Sequence, residues 1–227
     1  MAKIIEAVAG VRFGSTAPSG ASETIPAQKS YTKRCLVCNV GINDSATPVV
    51  VNQTKLNSYE SWQNILVRCY SPASLSRRPS YEGCSVVAEW LLFSTFERWH
   101  AENYVEGFQL DKDLLIPGNK LYGPDQCVFV SPRLNKLLLD RAANRGNLPL
   151  GVCANRKRFV SRVNKDNQST YLGIYDTPLE AHKAWQLAKA EIIEQFPTTD
   201  PRIRKALDLR VAQLRDDHAN NRITTKL

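Results

Sequence analysis

The sequence lacks the features that mark membrane and secreted proteins. Its 227 residues contain no apolar run of about 18 residues, the length at which a segment becomes a candidate for crossing a bilayer. The opening segment carries Glu6 and Arg12 within a short apolar stretch, which is a poor signal peptide. We therefore expect a cytosolic protein whose six cysteines are reduced, because disulfide frameworks belong to secreted chains.

A complete zinc-ligand pattern is also missing. Cys35 and Cys38 have the spacing of one half of a structural zinc site, which normally has four ligands in two pairs. The chain has no second CxxC pair and no HxxxH pair, so Cys69 and Cys84 would have to fold back to complete a site. Packed or half-exposed thiols are the favoured interpretation, and zinc binding by Cys35 and Cys38 is the open alternative.

Positive charge is in excess. The formal net charge is +8, which is consistent with a polyanionic partner, although charge alone does not separate DNA from RNA or a membrane surface. The length allows one large domain or two small ones. Residues 1–32 are rich in Ala, Ser, Gly and Pro and predict a flexible arm.

Two segments after residue 58 have the apolar spacing of helices. In the first, Trp62, Ile65, Leu66 and Cys69 fall on one face. The second is predicted to be a helix with the inward set Val86, Trp90, Phe93, Phe96 and Trp99. Helical spacing favours a core role for these aromatic residues over a platform on which bases would stack.

Residues 108–142 have the order strand, long loop, strand, helix. The strands are predicted at 108–115 and 127–130, separated by turns. Ser131 is a good N-cap and Pro132 a good first residue for a helix over 132–142. This is the order of a ββα unit. Taken alone, carboxylates such as Asp111 at the end of its first strand are more simply solvated or ion-paired groups.

Residues 151–175 predict three short strands with outward-facing cations. Five Lys or Arg residues and a single Asp occur there. Thr177, Pro178 and Glu180 then form the signature of a capping box and open an amphipathic helix. Its apolar stripe, expected to cover the rear of the sheet, is Ala181, Trp185, Ala188, Ile192 and Phe196. A small sheet with one basic face and one covered face is shaped to lie against nucleic acid, and a solvated charged face is the simpler alternative.

The end of the chain predicts one more helix. Asp200 is the expected cap and Pro201 the first helical residue. The apolar set is Ile203, Leu207, Val211 and Leu214. This helix either packs back onto the chain or mediates association.

The ordered set of motifs resembles the HNH-type endonucleases, common in bacteriophages, that carry an AP2-like DNA-binding domain after the nuclease module. The match runs from about residue 33 to residue 210. The matching residues before the ββα unit are Trp62, Arg68-Cys69-Tyr70, Pro79-Ser80-Tyr81, Gly83-Cys84, Trp90, Phe93, Phe96 and Trp99. Those that follow are Leu110-Asp111-Lys112-Asp113, Gly118-Asn119-Lys120, Tyr122, Cys127-Val128-Phe129-Val130, Asn135, Gly151-Val152, Tyr171-Leu172-Gly173, Thr177-Pro178, Glu180-Ala181 and Trp185.

The resemblance implies an α+β fold. A degenerate ββα-metal (HNH-like) module is preceded by helices and followed by a three-stranded antiparallel sheet packed on one helix (AP2-like) and a C-terminal helix. The implied divisions are a flexible N-terminal arm over 1–32, the HNH-like nuclease module over 33–143, the AP2-like domain over 144–198, and the C-terminal helix and tail over 199–227.

The resemblance also implies a catalytic site. Asp111 and Asn135 take the places of ligands for a divalent metal, Mg²⁺ or Mn²⁺, and the implied catalytic residues are Asp111, Lys112, Asp113 and Gln126. Lys112 stands where this family has its histidine base. Because an unperturbed lysine is protonated at pH 7, Asp113 or a metal-bound hydroxide is the expected base, with Lys112 contacting the scissile phosphate.

AP2-like sheets dock in the major groove of DNA, where side chains reach phosphates and base edges. The DNA-binding candidates implied here are Arg156, Lys157, Arg158, Arg162, Asn164 and Lys165. Cys153 and Asn155 stand where plant AP2 domains usually have arginine, which weakens the case for sequence specificity.

The function implied is that of a metal-dependent DNA endonuclease of homing or phage type, acting on double-stranded DNA in the cytoplasm of an infected bacterial host cell. Two alternatives remain open at this stage. One is a DNA-binding or regulatory protein whose nuclease module has lost its chemistry. The other is an RNA-binding or structural component of a phage particle. No membrane partner is expected, and the oligomeric state is left open.

Overall fold

The computed structural model describes residues 36–139, 147–166 and 168–227. The predicted arm over residues 1–32 and Cys35 of the possible zinc pair lie outside them. The described residues divide into two compact units, residues 36–104 with 119–127, and residues 105–118 with 128–139, 147–166 and 168–227. In the described part of each, the fold is a mixture of helices and small sheets, and none of the described helices is both long and apolar enough to cross a membrane.

The strands are β1 (Leu36–Val37), β2 (Gly41–Ile42), β3 (Val50–Val51), β4 (Thr54–Lys55), β5 (Ser85–Val86), β6 (Gln109–Asp111), β7 (Leu121–Tyr122), β8 (Val128–Val130), β9 (Val152–Asn155), β10 (Arg158–Lys165) and β11 (Gln168–Tyr175). The α-helices are α1 (Asn57–Tyr70), α2 (Pro72–Arg77), α3 (Phe93–Asn103), α4 (Pro132–Leu138), α5 (Pro178–Glu194) and α6 (Pro201–Ala219). Short 3-10 helices span Pro79–Tyr81 and Ala88–Leu91.

The first helix prediction is confirmed in the first unit. Trp62, Ile65, Leu66 and Cys69 are the buried face of α1. The indole nitrogen of Trp62 donates to the carbonyl of Trp90 at 2.7 Å, so this buried polar group is satisfied.

The second helix prediction is wrong in its extent. Val86 belongs to β5, which pairs in parallel with β7, and Trp90 lies in a 3-10 helix, so that the α-helix begins only at Phe93. Val87 donates to the carbonyl of Tyr122 at 2.9 Å. Apolar spacing along the chain carries no information about a strand 36 residues away, which is why helical periodicity misassigned this segment. The predicted core role is confirmed for four of the five side chains, because Val86, Trp90, Phe93 and Phe96 are buried. Trp99 is half-buried.

The second unit contains the predicted ββα order. β6 and β8 pair antiparallel, with Gln109 opposite Val130, and α4 follows β8. The hydroxyl of Ser131 accepts from the N–H of Leu134 at 3.2 Å, as its assignment as N-cap requires. β6 is shorter than predicted, because the chain turns directly after Asp111. The predicted helix residues 140–142 lie outside the described residues.

The predicted three-stranded sheet is confirmed, with the antiparallel order β11-β10-β9. The capping box at the start of α5 is complete: the hydroxyl of Thr177 accepts from the N–H of Glu180, whose carboxylate accepts from the N–H of Thr177. Trp185 on α5 joins the core of this unit with Val163 of the sheet.

Helix α6 packs back onto α5, as one of its two expected roles requires, and a role in association stays a prediction. Its side chains Ile203, Leu207, Val211 and Leu214 are all buried, and the carboxylate of Asp200 accepts from two N–H groups of its first turn.

The predicted stripe of α5 is right only in part: Ala181 and Trp185 are buried, whereas Ala188, Ile192 and Phe196 are partly buried against the core. Because α5 has neighbours on two sides, other positions are buried as well. The members that the stripe omitted are His182, Gln186, Lys189, Ala190 and Ile193.

Candidate functional site

The three-stranded sheet has one buried and one exposed face. On β10, Ser161 and Val163 are 0% and 3% exposed and lie under α5. Arg158, Arg162 and Asn164 alternate with them and are exposed. Because successive side chains of a strand point to opposite faces, these three share the face turned away from the helix. We call it the basic face.

An apolar row crosses the middle of the basic face. Val160 pairs directly with Cys153 on one side and with Ile174 on the other, and directly paired residues lie on one face of a sheet. Ile174 is 36% exposed, and Cys153 is exposed as well. Val160 between them is only 9% exposed, so the row presents apolar atoms at its two ends and little at its centre.

Both arginines of the basic face have partners within the protein. Arg158 Nε lies 2.8 Å from Asp176 Oδ1, in an ion pair that is largely exposed. The guanidinium of Arg162 lies 5.8 Å from the ring centre of Tyr171, its cross-strand partner. Exposed ion pairs contribute about 0–1 kcal/mol and exposed cation–π contacts about as much, so either arginine exchanges its partner at low cost.

The remaining candidates lie at the two ends of β10. Arg156 and Lys157 form the exposed β9–β10 turn, where Arg156 has a positive φ of 54°. Lys165 is exposed at the other end. Beside it, Arg133 of α4 makes a bidentate ion pair with Asp166 at 2.6 and 2.9 Å, and these hydrogen bonds lower the pKa of the Asp166 carboxyl.

The ββα unit brings the side chain of Asn135, on α4, into contact with β6, the strand that ends at Asp111. The amide nitrogen of Asn135 donates to Gln109 Oε1 at 2.8 Å. Gln109 and Asp111 are two residues apart on β6, so their side chains share one face of it. The side chain of Asn135 therefore contacts the face of β6 on which Asp111 lies.

The carboxylates at the end of β6 are already bonded within the chain. Asp111 Oδ1 accepts from the N–H of Asp113 at 2.8 Å and from that of Leu114 at 2.6 Å, which closes the turn after the strand. The ammonium of Lys112 is 7% exposed and donates to both carboxylate oxygens of Asp113 at 2.8 Å. In the free protein Asp113 is therefore the ion-pair partner of Lys112. The sequence predicted different roles, with Asp113 as a base and Lys112 as a phosphate contact.

Arg210 of α6 is a functional candidate that the sequence analysis missed. It is 4% exposed and donates to the carbonyl of Asp113 at 3.3 Å. Burial lowers the pKa of its guanidinium, and the charges of Asp111 and Asp113 act in the opposite direction. The available signal was its place in the sequence: it falls three residues after Leu207 and next to Val211, so it is a cation within the apolar stripe of α6.

Gln126, the fourth predicted catalytic residue, lies in the first unit. There its side-chain oxygen lies over Gly123, where a Cβ would approach it to 2.5 Å. Its catalytic role stays a prediction. His100, also in this unit, stacks on Tyr104 at 4.5 Å between ring centres, and burial lowers the pKa of its imidazole.

The donor set for a metal is small. Within residues 36–139, 147–166 and 168–227, no three His, Cys, Asp or Glu side chains are grouped so that they could hold a metal ion. Asp111 and Asn135 supply oxygen ligands of the kind that Mg²⁺ and Mn²⁺ take, and Mg²⁺ is often held by one or two protein groups together with water and phosphate. Metal binding by these two residues stays a prediction. Lys112 pairs with Asp113, and Arg210 lies near both Asp111 and Asp113.

Comparisons with protein-family models, with curated proteins and with solved structures found no match to this chain.

Proposed function

We propose that the protein binds double-stranded DNA through the basic face. The observation that carries the proposal is the alternation along β10, where Arg158, Arg162 and Asn164 are exposed while Ser161 and Val163 are buried under α5. Arginine and asparagine are the side chains that pair bidentately with guanine and adenine in the major groove. The exposed side chain of Ile174, at one end of the apolar row, suits the methyl groups of thymine.

The dimensions of β10 suit the groove. Its eight residues extend over about 24 Å, while the major groove is about 12 Å wide and admits a two-stranded ribbon. In this proposal Arg156 and Lys157, in the turn at one end of β10, contact phosphates on one side of the groove. Lys165 alternates onto the other face of the sheet but is the exposed last residue of the strand, and its long side chain contacts phosphates on the other side. Contacts of that kind position a protein, and the arginines between them read bases.

The test is binding to a 20-base-pair duplex as a function of salt. Arg158→Gln combined with Arg162→Gln should weaken binding and lower the slope of log K against log salt, by up to about 2 if both side chains contact phosphate. Lys205→Gln combined with Lys226→Gln removes the same charge from exposed positions away from β10 and is the control. Unchanged affinity and slope in the first pair would rule out the basic face. A preference for structured RNA over the duplex would replace DNA by RNA as the partner.

A second candidate function is metal-dependent cleavage of the bound DNA. It is favoured by the contact between Asn135 and Gln109, which brings the two predicted ligand residues to one face of β6. In this proposal Asp111 and Asn135 hold Mg²⁺ or Mn²⁺, and the metal would supply charge stabilisation to a phosphate under attack. The chain itself holds the Asp111 carboxylate in place through two backbone N–H groups.

Cleavage is tested with supercoiled plasmid in Mg²⁺ or Mn²⁺, with and without a chelator. Asp111→Ala should abolish nicking, while Asp208→Ala, which removes an exposed carboxylate on α6, should not. Lys112→His should increase nicking if the lysine replaces a histidine base. Binding without nicking in either metal would reject the second candidate and leave the first. Nicking that survives in Asp111→Ala would also reject it, because the activity would then come from elsewhere.

A further inference from the structure

A cleft of about 910 Å³ lies within the second unit, between α4, the start of β9, the β10–β11 hairpin and the end of α5. We call it the α4 cleft. Its charged lining is strongly asymmetric, with five cations and one carboxylate among the described residues. The cations are Arg133, Lys136, Arg162, Lys165 and Lys189, and the carboxylate is Asp166.

The single carboxylate does not balance these cations. Asp166 is already paired with Arg133 through two hydrogen bonds, so its charge is neutralised by one guanidinium. Four positive groups remain in a concave space whose walls also include apolar side chains such as Leu150 and Phe196. Concave, partly apolar surroundings strengthen the field of such a cluster, because the charges are less well screened than on an open surface.

Lys189 is the second, independent observation. It is 7% exposed, and its ammonium donates to the carbonyl of Leu137 near the end of α4. Burial lowers the pKa of Lys189 to about 8, with no carboxylate among the causes. A buried cation without a counter-ion in the described structure is costly, and an anion bound in the cleft would offset that cost.

We propose that the α4 cleft binds a backbone phosphate of the DNA that docks on the basic face. This inference rests on the proposed DNA binding and adds a contact from α4 and α5 to it. Arg162 and Asn164 belong to the basic face and also line the cleft, so the two surfaces are continuous. Free nucleotides carry the same phosphate ester as the DNA backbone, so the experiment has to distinguish these two ligands.

The first measurement is the affinity for the 20-base-pair duplex at several salt concentrations. Lys136 is exposed on α4, so Lys136→Gln leaves the core intact. Each phosphate contact releases about 0.9 counterion, so loss of one contact should weaken binding about eightfold at 0.1 M salt and lower the slope by about 1. Lys205→Gln, which removes one exposed charge on α6, should leave both quantities nearly unchanged.

A second pair of variants separates phosphate binding from a structural role. Arg133→Gln and Asp166→Asn each break the same ion pair, so a merely structural role predicts the same effect from both. If the cleft binds phosphate, the two changes act in opposite directions. Arg133→Gln removes a cation and should weaken binding to the duplex, whereas Asp166→Asn removes the competing carboxylate and should tighten binding and steepen the salt dependence.

The outcomes distinguish this inference from the function on which it rests. If the wild-type protein does not bind the duplex, the proposed function fails first. If it binds, and Arg158→Gln with Arg162→Gln weakens binding while Lys136→Gln, Arg133→Gln and Asp166→Asn change nothing, only the α4 cleft is rejected. Calorimetry with thymidine 5′-phosphate tests whether the cleft binds a free nucleotide and not the DNA backbone. If that nucleotide binds while the cleft variants keep their affinity for the duplex, the proposal is overturned.

Discussion

Replacing Lys189 with methionine should change the pH dependence of the protein's stability. Lys189 is 7% exposed and lies on α5, and its ammonium has the carbonyl of Leu137 as its hydrogen-bond acceptor. Methionine has nearly the same length and carries no charge. The substitution therefore removes the cost of burying an ammonium while it fills most of the same space.

The size of the effect follows from the pKa. Burial lowers the pKa of Lys189 from 10.5 to about 8, and each tenfold change in proton affinity corresponds to about 1.4 kcal/mol. Burial of the charged form therefore costs about 3 kcal/mol at pH 7. Leaving the Leu137 carbonyl without its donor costs about 1–3 kcal/mol, so Lys189→Met should be stabilising at pH 7 by about 1–2 kcal/mol or close to neutral.

The sign of the pH dependence is opposite to that of a lysine in a salt bridge. The folded-state pKa is below the unfolded value, so between pH 8 and 10.5 the unfolded chain binds more protons than the folded protein. Stability of the wild type must then rise with pH across this window. Between pH 7 and pH 10 the contribution from Lys189 should be about 2–3 kcal/mol, and Lys189→Met should lack it.

Urea denaturation of both proteins at pH 7, 8, 9 and 10 measures this difference. Other groups titrate in both proteins, so their contributions cancel when the two free energies of unfolding are subtracted. Lys205→Met, at an exposed position on α6, is the control and should run parallel to the wild type. A difference between wild type and Lys189→Met that stays constant from pH 7 to pH 10 would refute the burial of an ammonium without a counter-ion.

Three further substitutions test the packing of the second unit by urea denaturation. Trp185→Ala should lower the free energy of unfolding by about 3–5 kcal/mol, since Trp185 is 6% exposed, and wild-type stability would show that the residue is not core. Gly151→Ala should lower the free energy of unfolding more than Gly118→Ala. Both glycines have positive φ, but only at Gly151 would a Cβ lie 2.0 Å from an atom of Trp185. Equal losses of stability in the two variants would show that Gly151 and Trp185 are not so close. Thr177→Ala should cost about 1 kcal/mol by removing the capping box, and no loss would mean that water replaces it.

Much of the local structure was predictable because the signals are local. Ser131, Thr177 and Asp200 satisfy N–H groups two or three residues away, so their roles as caps depend on few other parts of the chain. The buried face of α1 follows from the 3.6-residue period of a helix. The exposure of Arg158 and Arg162 follows from the two-residue period of a strand.

Other features required contacts that no local pattern reveals. Val86 was wrongly assigned to a helix. Its strand partner Tyr122 lies 36 residues later in the chain, and the local apolar pattern does not show that pairing. Lys112 and Asp113 are adjacent in the sequence, yet their ion pair depends on which side-chain rotamers the surroundings allow. Arg210 reaches Asp113 from 97 residues away, and no sequence motif links the two.

The sequence by itself determined that a basic three-stranded ribbon backed by a capped helix exists here, because strand alternation, turn residues and caps are properties of neighbouring residues. It also determined the order of the ββα unit. Tertiary structure alone decided what surrounds each charge: it placed Lys189 and Arg210 in buried positions, joined α4 to the sheet through Arg133 and Asp166, and thereby formed the cationic cleft. The physical reason is that burial and charge pairing depend on groups brought together from distant parts of the chain, and periodicity does not report them.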